Sequence, residues 1–199
     1  YYDKIGDNTG TGASQDISFW RAKQFTYKGN VFYPVGDIII GPTRAGDNTR
    51  SIRKIGDFTI HNNTIIGPKR RTLIVSGDVK SPIDYKLIWT NNGKKGKNFW
   101  IWNPIAPSDY RALGDIFTTS ADKPPTDETA PIRCVPIELT TMLRAPRNIL
   151  WSSHRINTLD TVNCLGYIPN NGNMVNASSS NAYNLFRGIN NVLNISTSD

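Results

Sequence analysis

Along this chain an apolar or small residue is repeatedly followed by Gly-Asp, as at Ile5-Gly6-Asp7, Val35-Gly36-Asp37, Ile55-Gly56-Asp57, Ser76-Gly77-Asp78 and Leu113-Gly114-Asp115. Four of them run straight into β-formers, as in Asp37-Ile38-Ile39-Ile40 and Asp115-Ile116-Phe117-Thr118. Glycine takes backbone conformations that other residues resist. Aspartate bonds its own nearby amides and fixes a turn. A β-branched run then leaves as a strand. Gly36, Asp37, Gly56, Asp57, Gly77, Asp78, Gly114 and Asp115 are therefore read as structural turn residues, each Asp capping its own turn.

Other elements recur. Ile39-Ile40-Gly41-Pro42 resembles Ile65-Ile66-Gly67-Pro68, and Gly-Pro is expected to end a strand because Pro cannot donate to a ladder. Phe19-Trp20 precedes one Gly-Asp much as Phe99-Trp100 precedes another. Short strands at turn-punctuated spacing predict an all-β fold with little helix, a prism or sandwich of repeated units. The boundaries read as a first β half over 1–80, a second over 81–168, and a partly flexible Asn- and Ser-rich tail over 169–199. Residues 137–143 fit either two helical turns or a strand, and 183–193 either a last strand or a docking tail.

Chemistry is mostly missing. The two His and two Cys are too few and too scattered for a zinc site. Cys164 lies in an apolar run, and whether it bonds Cys134 is not legible from sequence. Walker, dinucleotide, GxSxG and calcium-loop patterns are absent. The expectation is no catalysis, no cofactor and no metal. No apolar run is long enough for a transmembrane helix. A start at Tyr1 rather than Met reads as a piece of a longer or processed chain. The Asn-Xaa-Ser/Thr sites at Asn62, Asn176 and Asn194 are what so Asn-rich a chain gives by chance.

The charge is positive. Lys and Arg total 23 against 16 Asp and Glu, for a net charge of +7. Such a balance is either a solvated surface or the footprint of an anionic partner. Two clusters stand out, Lys69-Arg70-Arg71 and Lys94-Lys95-Gly96-Lys97. The second follows Asn91-Asn92-Gly93, a turn signal that predicts an exposed loop tip. Nearby lies the densest aromatic stretch: Trp89, Phe99, Trp100, Trp102 and Tyr110, interleaved with Pro104 and Pro107. Strand alternation puts Trp100 and Trp102 on one face and Phe99 and Ile101 on the other. One face belongs in the core. The other either lies under a neighbouring loop or forms a binding surface. The candidate ligand-binding set is thus Trp89, Trp100, Trp102, Tyr110, Lys94, Lys95, Lys97, Lys69, Arg70 and Arg71. Nucleic acid is an unfavoured partner, because no RNA-module motif accompanies the basic clusters.

Pro82 to Trp89, then Phe99-Trp100-Ile101-Trp102-Asn103-Pro104-Ile105-Ala106-Pro107, Tyr110-Arg111-Ala112-Leu113-Gly114-Asp115, Pro124-Pro125, Arg133-Cys134-Val135-Pro136 and Trp151-Ser152 occur in a characteristic order. This order resembles the repeat of vacuolar-protein-sorting-associated proteins, the Vps62-like and bridge-like lipid-transfer group. The likeness is good over 82–153 and weak over 17–42. Asp109 departs from it, standing where the repeat usually has Gly. The resemblance implies a β-rich module for docking on a protein partner or an anionic membrane surface, cytoplasmic or peripheral to a membrane. Similar modules occur in large DNA viruses and in toxin-like proteins. The alternatives are therefore a structural component of a large assembly, such as a virion protein, or a toxin-associated β module.

Overall fold

A computed structural model describes residues 2–14, 16–27, 29–43, 59–61, 64–66, 74–139, 148–153, 155–156, 162–166 and 174–178. The strands are Tyr2–Asp7 (β1), Asp16–Ala22 (β2), Phe25–Tyr27 (β3), Asn30–Pro34 (β4), Ile38–Thr43 (β5), Thr59–His61 (β6), Thr64–Ile66 (β7), Ile74–Val75 (β8), Asp84–Thr90 (β9), Trp100–Ile105 (β10), Tyr110–Arg111 (β11), Ile116–Thr118 (β12), Val135–Pro136 (β13), Asn148–Ser152 (β14), Val162–Gly166 (β15) and Met174–Ser178 (β16). A single 3-10 turn, Ile137–Leu139, is the helical element among the described residues. The fold is all-β.

Three antiparallel units share one plan: β5-β2-β1, β12-β10-β9 and β16-β15-β14. Their hairpin registers coincide. Lys4 faces Trp20 and Gly6 faces Phe19, so Ile5 is bulged. Leu87 faces Trp102 and Trp89 faces Ile101, so Ile88 is bulged. Ile149 faces Leu165 and Trp151 faces Cys164, so Leu150 is bulged. The third strand continues the match: Trp20 faces Ile38, Trp102 faces Ile116 and Leu165 faces Val175. A bulge bends its strand and pins register, which lets each unit close against the next. Strand β1 touches β12, and β14 touches β5. The arrangement is prism-like, with β16 drawn from the stretch read as a tail. The β6–β7 hairpin widens the first face by pairing with β1.

The interior joins the units. Phe19 of β2 stacks on Phe117 of β12 with ring centroids 4.0 Å apart, and Phe99 tilts against both. Ala13, Ile17, Trp89, Ile101 and Ile156 complete this core. The segments 1–80 and 81–168 thus meet in a shared interior. A second cluster, Val35, Val75, Leu113 and Val135, closes one end.

At that end two Gly-Asp pairs meet. A Cβ on Gly36 would lie 2.8 Å from the Gly114 Cα, so bare backbone is needed there for close approach rather than for a turn. The Asp37 amide donates to the Asp115 carbonyl at 2.9 Å. The Asp37 carboxylate accepts two hydrogen bonds from Arg21, at 2.7 and 2.9 Å, and one from the Phe117 amide at 2.7 Å. Asp115 accepts from the Asn103 amide at 2.7 Å. Arg21 and Asn103 each directly follow the Trp at matching register, so Trp20-Arg21 corresponds to Trp102-Asn103.

The expectation that Asp37, Asp57, Asp78 and Asp115 each cap a turn is therefore corrected at Asp37 and Asp115. Asp7 does cap its own turn, accepting from the Thr9 amide at 3.1 Å and hydroxyl at 2.6 Å. Asp37 and Asp115 instead tie distant strands. Asp78 accepts from the Tyr110 hydroxyl, and Gly77 beside it takes the left-handed conformation at φ 89°. Gly-Pro does not end β5 either, since the strand runs through Gly41-Pro42 to Thr43. It lies at a sheet edge, with an irregular register opposite Asp16 and Ser18, where a missing donor is tolerated.

Candidate functional site

Each unit's hairpin turn is built alike. The carbonyls of Asn8, Asn91 and Ser153 accept from the amides three residues on, at 3.2, 2.9 and 2.9 Å. All three heads are buried. The Asn8 and Asn91 side chains accept from the Ile17 and Phe99 amides, both at 2.9 Å, which clamps the start of the returning strand. The third position of each turn is left-handed: Gly10 at φ 76°, Gly93 at 77° and Arg155 at 73°. A type II turn demands that conformation, which glycine supplies without strain.

The second turn carries the basic cluster. Gly96 is left-handed at φ 87°, and a Cβ on it would meet the Gly10 carbonyl carbon at 2.3 Å. The loop is thereby locked against the first turn. The Lys97 amide donates to the Thr9 carbonyl at 2.9 Å, and its ammonium lies 3.0 Å from Asp7, which also holds Lys4 at 3.0 Å. Lys94 and Lys95 are exposed and make no ion pair among the described residues. A preorganised loop thus presents two cations, while its third basic residue is structural.

Asp7 makes this lock pH-sensitive. Burial works to raise its pKa, but the hydrogen bonds from Thr9, Lys97 and Lys4 outweigh burial and hold the carboxyl well below the usual range. A lowered carboxylate pKa contributes stability that is present above the ordinary value of about 3.9 and lost as pH falls toward the folded value. Thermal melts should show wild type above D7N at pH 7, with the gap shrinking below about pH 4. A gap that stays constant with pH would refute the lock.

The aromatic candidates sit elsewhere than on a surface. Trp89 lies in the central core, and Trp100 and Trp102 pack with Tyr85, Ile116 and Ile132 on the outer face of the second sheet. The 119–134 segment covers that face: the Tyr85 hydroxyl donates to the Pro125 carbonyl at 2.9 Å, and Ser81 to the Asp127 carbonyl at 2.9 Å. Buried Arg133 anchors the segment through the carbonyls of Glu128, Ala130 and Ile132, its guanidinium 4.0 Å over the Tyr33 ring. The tryptophans are therefore packing residues and present no open binding face. Tyr110 is half-buried, and Asp78 pushes its phenol up to about 12 while Lys80 lies 4.6 Å over its ring.

Lys69, Arg70, Arg71, Gly56, Asp57 and the 183–193 segment lie outside the described residues. Cys134 is buried, and the Cys164 side chain also falls outside the description. Asp109 answers its departure from the repeat by taking the glycine-like conformation itself, φ 64°, which Asp tolerates better than most residues. Among the described residues no three of His, Cys, Asp and Glu gather as metal ligands, and no helix is long and apolar enough to cross a membrane. The sequence reading missed Arg155, whose signal is its place two residues after Ser153 in the third copy of the turn.

A comparison with curated proteins gives no match. Among solved structures, GNIP1Aa from Chromobacterium piscinae superposes with a TM-score of 0.63 at 20% sequence identity, covering 91% of this chain and 32% of that one. The chain thus spans about a third of that protein, and the likeness concerns the fold. The family model for vacuolar protein sorting-associated protein 62 matches residues 53–184, a span that takes in the second and third hairpin units with their tryptophans, Leu113-Gly114-Asp115 and the basic turn. The chain belongs to the Vps62 family.

Proposed function

We propose that this chain is a non-catalytic docking module that engages an anionic membrane surface through the hairpin-turn end of the prism. The observation that carries this reading is the locked 91–97 turn, which exposes Lys94 and Lys95 while Asp7 neutralises Lys97. Asp7 is engaged by Lys4 and Lys97, and Lys94 and Lys95 pair with no carboxylate among the described residues. Lys123 binds Asp84 at 2.8 Å and Ser81 holds the Asp127 carbonyl at 2.9 Å, which sets Asp84 and the Asp127 backbone at the far end of β9. That strand's seven residues put about 20 Å between the two ends, more than twice the screening length of about 8 Å at physiological salt. The membership in a sorting family and the absence of catalytic motifs in the sequence agree with a binding role.

Co-sedimentation with vesicles tests it. Binding is expected to phosphatidylserine-containing vesicles and not to phosphatidylcholine alone, and to weaken with salt. K94Q/K95Q should bind about thirty-fold more weakly, since each surface cation near an anionic bilayer contributes about 1 kcal/mol. Equal binding to neutral and anionic vesicles, or none to either, would sink the proposal.

A further inference from the structure

Two of the three equivalent turns place glycine at the left-handed position, and the third places Arg155 there, at φ 73°. An L-residue resists this conformation, and Arg lacks the short polar side chain with which Asp or Asn eases it. No contact among the described residues explains the choice. Arg155 is exposed, and among the described residues its side chain makes no ion pair and no hydrogen bond. Its neighbour Ile156 is buried in the central core with Ala13, Ile17 and Phe99, so the third turn sits at the same end of the prism as the other two. Backbone strain at an exposed residue with no partner among the described residues points to a use for the side chain outside the molecule.

We propose that Arg155 is a second contact of the docking end, acting with Lys94 and Lys95 to grip phosphate-bearing lipid headgroups. This rests on the docking reading above and extends it to the third unit. The planar guanidinium fork suits phosphate oxygens better than an ammonium does. The cations come from separate, exposed turns, and 92–97 contains no apolar or aromatic side chain that would line a pocket. Such an array fits a surface of many mobile anions rather than one buried ligand.

The test uses R155G and R155N, both neutral and both at ease in the left-handed conformation. Each is expected to bind phosphatidylserine vesicles about five-fold more weakly than wild type, with a melting temperature no lower. D109G relieves the same backbone conformation at the opposite end and should leave vesicle binding unchanged. Wild-type affinity in R155G and R155N would overturn the assignment while leaving the docking reading intact. So would weakened binding that comes only with a lower melting temperature, which would make Arg155 structural. A wild type that binds immobilised polyglutamate but not vesicles would overturn the lipid assignment, and a wild type that binds neither would remove the docking reading itself.

Discussion

Replacing Asp37 by alanine is expected to cost about 3–5 kcal/mol, the range for removing one partner of a buried ion pair. Its carboxylate is fully buried and gathers Arg21 of the first unit and the Phe117 amide of the second. Arg21 also donates to the Phe117 carbonyl at 3.0 Å, so the pair spans the seam between two faces of the prism. Without Asp37 the guanidinium, itself largely buried, keeps one carbonyl and loses its counter-charge. In a domain whose net stability is about 5–15 kcal/mol, such a loss leaves a large unfolded fraction. Urea denaturation measures it directly. R21M/D37A should be less destabilised than D37A alone, because the stranded charge is gone. A D37A midpoint within about 0.5 kcal/mol of wild type, the range of an ordinary surface substitution, would show that the seam is held by packing alone.

The same residue marks the limit of what sequence can show. Val35-Gly36-Asp37 announces a strand to follow, and β5 follows. Its carboxylate, however, reaches Phe117, eighty positions away, and no local rule connects them. Gly36 is similar: its need for a bare backbone comes from Gly114, not from its own φ. The faces of β10 were legible because alternation alone assigns them. Phe99 and Ile101 do enter the central core, and Trp100 and Trp102 do lie under the 119–134 segment. The Asn91-Asn92-Gly93 turn was legible for the same local reason. The third unit was hidden. Where the first two units carry Phe19-Trp20-Arg21 and Ile101-Trp102-Asn103, the third carries Cys164-Leu165-Gly166, and it has no Gly-Asp. What the three share is a bulge and a backbone register, and these leave little trace in residue identity. Arg155 stayed hidden with the unit that holds it.

A shared interior makes a sharper claim than three similar sheets, and Phe117 tests it. The residue is fully buried, lies nearly parallel to Phe19 at 2°, and forms the contact between the first and second units. Phe117→Ala should cost about 3–5 kcal/mol, as other buried Phe truncations do. The cost comes from the lost transfer free energy and from a cavity that its neighbours cannot readily fill, because Phe19 and Ile101 are held by strand register and the Phe99 backbone by Asn91 and Thr90. The shape of the transition carries the stronger information. Trp20 reports on the first unit, while Trp89, Trp100 and Trp102 report on the second. If the units unfold as one body, the tryptophan fluorescence of a W20F/W151F variant and of a variant retaining only Trp20 should show the same midpoint, lowered equally by F117A. Independent cores over 1–80 and 81–168 would instead give two midpoints, with F117A moving the second and sparing the first. Coincident transitions are the expected result, since one core cluster contains both Phe19 and Phe117.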